Sequence, residues 1–109
     1  MNKWKYFTEK EVEGLEDKLV FYLDRARRFA QIPFVLTRTR DESDIGVKES
    51  AHHSGWAVDI RCSTSQDRWK IVYSLIAVGF CRIGVYDRHI HVDLDESKPQ
   101  KVMWVGVSK

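Results

Sequence analysis

The chain has 109 residues, a formal charge of +2 and a hydrophobic fraction of 43%. That is one domain's worth of sequence, able to bury a core without staples, and it excludes an intrinsically disordered segment. No run approaches the ~20 apolar residues of a membrane span, and only Arg25, Arg27 and Arg28 cluster, so neither a membrane nor nucleic acid is an expected partner. The opening Met1-Asn2-Lys3-Trp4-Lys5 has no apolar stretch behind its lysines, so no export signal is expected and synthesis is placed in the cytoplasm. Cys62 and Cys81 form no CxxC pair and are expected to be buried and reduced.

Thr8-Glu9-Lys10-Glu11 has the form of a capping box, in which a threonine hydroxyl and a glutamate satisfy each other's backbone amides. Behind it Val12, Leu15, Leu19, Tyr22, Leu23, Ala26 and Ala30 recur at three- and four-residue spacing, which predicts a helix over 9–30, stopped by Pro33. Phe34–Thr37 reads as a short buried strand, and residues 38–55 as a polar loop, long enough in so small a domain to suggest a functional role. Trp56–Arg61 is a second strand. Ser63 or Ser65 caps a second helix with the apolar stripe Trp69, Val72, Tyr73, Ile76 and Ala77, closed by Gly79. Three strands follow, at Cys81–Val85, His89–Leu94 and Val102–Val107, with Tyr86-Asp87-Arg88 as a hairpin turn. This order predicts a single α+β domain over 1–109, with two helices packed on one face of a mostly antiparallel sheet. The opposite face is left for a site.

All four histidines fall in two segments, Ser50-Ala51-His52-His53-Ser54-Gly55-Trp56-Ala57-Val58-Asp59 and His89-Ile90-His91-Val92-Asp93. On a strand His89 and His91 point the same way. Asp59 lies on another strand, and His52 in the loop that feeds it. Convergence of these groups would give a His/Asp/His site of the kind zinc occupies, with a fourth position for water. An isolated histidine is more often a surface or core residue than a ligand, so the weight rests on the combination. Trp56 and Trp104 read as packing residues, and His53 as a bystander. The acidic run Asp41–Asp44 reads as solvated loop, and Asp93, Asp95 and Glu96 lack the spacing of a calcium loop.

Ser50-x-His52-x2-Gly55-x-Ala57-x-Asp59 resembles the first signature of the zinc D-Ala-D-Ala carboxypeptidase family. Arg82-Ile83-Gly84-Val85 followed by His91-Val92-Asp93 is similar to its second, as found in small single-domain members from bacteria and phages. The likeness runs from about Phe34 to Trp104 and implies the fold shared with lysostaphin-type peptidases and the hedgehog signalling domain.

The resemblance implies His52, Asp59 and His91 as ligands to Zn2+, and His89 as a group that stabilises the oxyanion or shuttles a proton. The family's general base lies three positions before the last ligand, where this chain has Arg88; Asp87 is the nearest carboxylate, and on an extended strand it would share a face with His89 and His91. A substrate-holding arginine is implied on the loop after the first strand, as Arg40 or else Arg38, with Ser50 of the signature also at the substrate. Asp93 would orient a ligand imidazole, or else face solvent at a strand end. The implied activity is zinc-dependent hydrolysis of an amide bond in peptidoglycan stem peptides, by a DD-carboxypeptidase or endopeptidase acting as a monomer. The absence of an export signal would suit a phage lysin released by another factor. The alternative is a non-catalytic module of the same fold, either a zinc-containing binding domain or a structural part of a virion.

Overall fold

In the computed structural model, residues 3–38 and 54–107 are described. The elements run α1 (Asp17–Ala30), β1 (Leu36–Arg38), β2 (Ala57–Arg61), α2 (Ser65–Ala77), β3 (Arg82–Val85), β4 (His89–Asp93) and β5 (Val102–Val105). The fold is α+β, with two helices and a five-stranded mixed sheet in the order β1-β2-β4-β3-β5. Among the described residues no helix is long and apolar enough to cross a membrane.

The first helix is shorter than its apolar spacing predicts. The capping box does form: Thr8 N–H donates to Glu11 Oε1 at 2.9 Å, and Glu11 N–H to Thr8 Oγ1 at 3.2 Å. It closes a turn and not the α-helix, because Gly14 adopts φ +85° and breaks the run. The chain enters α1 only at Asp17. The preceding segment still contributes Phe7 and Val12 to the core, and Asp24 of α1 holds it by accepting the Tyr6 N–H at 2.8 Å. At the other end Gln31, at φ 58°, caps the helix two residues before Pro33.

Thr64, not Ser63 or Ser65, caps α2: its hydroxyl accepts from Asp67 N–H at 3.1 Å. Both helices lay apolar stripes on one face of the sheet. Leu19, Val20, Leu23 and Ala26 from α1 and Ile71 and Leu75 from α2 meet Val58, Ile60, Ile83, Ile90 and Val92 in a single core. The strand pairs β1–β2, β2–β4 and β3–β4 are antiparallel. β5 departs from the expected pattern by running parallel to β3, as Arg82↔Val102 through Val85↔Val105. It reaches that edge because the connection after β4 passes the start of β3. Cys62 is buried, Cys81 is half-buried, and both are free thiols.

Candidate metal centre

Register builds the site. β2 and β4 pair with Asp59 opposite His91 and Arg61 opposite His89, so Asp59 and His91 project side by side from the face the helices leave open. β3 adds Gly84 beside His91, and β5 adds Trp104 beside Gly84. The alternation that sends Ile90 and Val92 into the core therefore sends His89, His91 and Asp93 to this second face.

His91 Nδ1 lies 3.2 Å from Asp59 Oδ1, and His91 Nε2 lies 2.7 Å from Asp93 Oδ2. His89 Nε2 stands 3.7 Å from the other Asp59 oxygen, and its ring stacks on Tyr86 with centroids 4.4 Å apart. Trp104 closes one side, its ring 5.4 Å from that of His91 and its Nε1–H donating to Tyr86 Oη at 3.1 Å. Gly84 is required beneath it, since a Cβ there would sit 2.5 Å from Trp104 Nε1.

Charge in the cluster is unevenly partitioned. Burial works against an imidazolium at His91, yet hydrogen bonds to Asp59 and Asp93 outweigh it and raise the pKa. For Asp93, burial would raise the pKa, but bonds from His91 and the Asp95 amide, with Arg82 nearby, bring it below the ordinary carboxylate value. Asp95 is engaged in its own turn, accepting from Ser97 N–H at 3.0 Å and pairing with Lys98 at 3.4 Å.

Asp59 and His91 are donors of a kind that zinc takes. Two ligands at ordinary Zn–N and Zn–O distances on a tetrahedral ion lie about 3.3–3.5 Å apart; the Asp59 and His91 donors are 3.2 Å apart. Among the described residues no group of three or more such donors is arranged to hold a metal. The third implied ligand, His52, lies outside the described residues, as do Ser50, Arg40 and His53. Arg38 ends β1, opposite Asp59 in the β1–β2 register.

Asp87 is not on an extended strand. β4 begins at His89, and Asp87 is exposed in the turn before it. That turn is fixed from three sides: Tyr86 N–H donates to His89 O at 3.0 Å, Cys62 N–H to Arg88 O at 2.9 Å, and Arg68 Nη2 to Asp87 O at 3.2 Å. The periodic argument that put Asp87 on the face of His89 and His91 therefore does not apply.

Glycine and alanine in the first signature have local reasons. Gly55 holds φ +85°, and a Cβ there would collide with the Gly14 carbonyl oxygen. The Glu16 N–H donates to Gly55 O at 3.0 Å, tying the segment before α1 to the entry of β2. Ala57 is fully buried.

Tyr86 and Arg82 are site residues that sequence reasoning passed over. The signals for Arg82 were a charge in an otherwise apolar strand and its place in the segment that resembles the second signature. No family model matches the chain, and no curated protein or solved structure matches it either.

Proposed function

We propose that this protein is a zinc-dependent amide hydrolase that acts on peptidoglycan stem peptides, built on the fold of the hedgehog domain and the D-Ala-D-Ala peptidases. The observation that carries the proposal is the facing pair Asp59 and His91, whose donors stand 3.2 Å apart on paired central strands. Their two signatures, Ser50-to-Asp59 and His91-to-Asp93, supply the substrate class by resemblance. Asp59 and His91, with His52, would hold the metal. Zinc, when bound, supplies Lewis acidity at a carbonyl and activates water near neutral pH.

The chain's own groups do the remaining work. His89 Nε2, 3.7 Å from Asp59, is placed to hold or pass a proton beside the metal position. Tyr86 keeps its ring flat against that imidazole and limits its rotation. Arg40, or Arg38 at the end of β1, would hold a substrate carboxylate, with Ser50 beside it. Asp87 would be the base only if substrate binding draws its turn inward.

That last condition favours a second reading, a non-catalytic zinc module with Arg88 in place of the base. Elemental analysis of purified protein decides the metal: about one zinc per chain is expected, and none in His91→Ala. Incubation of the zinc-loaded chain with soluble stem peptides, followed by mass spectrometry, decides the reaction. Cleavage abolished in Asp87→Asn with zinc retained supports the hydrolase; a zinc-replete chain that cleaves no stem peptide leaves the binding module.

A further inference from the structure

We propose that Arg82 is a positioning residue for this centre: through Asp93 it turns the His91 ring so that Nε2–H faces Asp93 and Nδ1 faces Asp59. The purpose of that arrangement rests on the zinc reading above; the arrangement itself does not.

Arg82 is the first residue of β3, and its side chain is only 10% exposed. Its Nε–H donates to Asp93 Oδ1 at 2.8 Å, its Nη1–H donates to the Pro99 carbonyl at 2.7 Å, and the guanidinium lies 5.1 Å from the Trp104 ring centroid. Asp93, 3% exposed, receives a second bond on the same oxygen from the Asp95 N–H at 3.0 Å. Oδ1 is thus held by two donors, which aims Oδ2 at His91 Nε2, 2.7 Å away.

Both carboxylates facing the ring only accept, and a neutral imidazole has one hydrogen to give, so the shorter contact, 2.7 Å to Asp93 against 3.2 Å to Asp59, assigns it to Nε2. In the neutral ring the lone pair then sits on Nδ1, the nitrogen already 3.2 Å from Asp59. A ligand imidazole whose far N–H meets a carboxylate is fixed in tautomer and made a better donor. Burying a guanidinium is costly even when it is paired, and apolar replacements of such pairs are often neutral for stability. A buried Arg82 that only packed would gain nothing from being charged. Its charge has a use if the orientation of Asp93 matters.

The test is nitrogen NMR of the histidine side chains in the metal-free chain, at a pH above the His91 titration, alongside zinc affinity by chelator competition. Wild type should show His91 as the Nε2–H tautomer. Asp93→Asn is nearly isosteric, and Arg82 will hold its amide oxygen. The amide NH2 then faces Nε2, and His91 should invert to Nδ1–H with zinc affinity reduced about 10–100-fold. Arg82→Met should leave a mixture of tautomers and a similar loss of affinity, and Arg82→Lys should restore most of both.

A wild-type Nδ1–H tautomer, or an Asp93→Asn ring that does not invert, overturns the assignment; so does an Arg82→Met variant with wild-type tautomer and zinc affinity. A chain with the expected tautomers that binds no zinc refutes the zinc reading and leaves the positioning role standing. Should Arg82→Met not fold, inversion in Asp93→Asn still decides the case.

Discussion

β2 and β4 carry two unlike faces on the same backbone. Toward the helices they present Val58, Ile60, Ile90 and Val92, all fully buried. Toward the open side they present Asp59, His89, His91 and Asp93, joined by hydrogen bonds and ion pairs. The helix face is held by non-directional packing, which volume governs; the open face is held by directional bonds, in which each group answers to a specific partner. The same ladder can therefore be weakened from one side without altering the chemistry of the other.

The largest expected effect breaks the packed face. Ile90→Ala should cost about 2–5 kcal/mol in urea unfolding, while the folded fraction should show the same zinc affinity as the wild type, under the zinc proposal. Gly84→Ala attacks the open face. Its methyl would force Trp104 from its place over β3, at a cost of about 1–3 kcal/mol. Because that indole borders both His91 and Arg82, zinc affinity should fall as well. Equal zinc affinity in wild type and Gly84→Ala would show that the Trp104 wall is dispensable. Thr64→Ala removes the cap of α2 and touches none of the bonded groups of the open face. Thermal unfolding should register about 1 kcal/mol and chelator competition no change.

Acidity separates the two faces with the smallest perturbation. The bonds that raise the His91 pKa give the metal-free chain stability that is fully present below the unfolded value of 6.5 and is lost as pH rises through the higher folded value. Asp93, with a lowered pKa, contributes stability that is present above its ordinary 3.8 and is lost as pH falls through the lower folded value. Both contributions are complete only between those ordinary values. The metal-free midpoint in urea should therefore decline in wild type as pH rises above the ordinary histidine value of 6.5, and less so in His91→Gln. Ile90→Ala should follow the wild-type slope at lower stability. A parallel decline in His91→Gln would move the pH dependence off this cluster.

Much of this was legible in the residues. Period-two alternation placed His89 and His91 on one face of a strand, and threefold and fourfold spacing marked both helices, the first with too early a start. Three features were not legible, because each depends on a contact remote in sequence. The capping box at Thr8 is genuine, but the helix behind it yields to Gly14, whose positive φ accommodates the close approach to Gly55. The parallel pairing of β5 is decided by which edge of the sheet is open once β3 and β4 have joined, and a strand's own pattern does not encode its neighbour. Arg82 shows no partner until the β3–β4 register brings Asp93 beside it. Asp87 lies in the hairpin turn expected before β4, so the strand period does not extend to its side chain.

The contacts of His91 and Asp93 also differ in how much chain they enclose. The Arg82–Asp93 pair spans 11 residues and the Asp59–His91 pair spans 32. Closing the longer loop costs an unfolded chain about 1 kcal/mol more, by the logarithmic growth of closure entropy. A single imidazole–carboxylate contact is a weak counterweight to that entropy, so it is the β2–β4 ladder that brings Asp59 to His91. The hairpin can assemble Arg82, Asp93 and His91 from local chain alone, and only the arrival of β2 turns that half into a site.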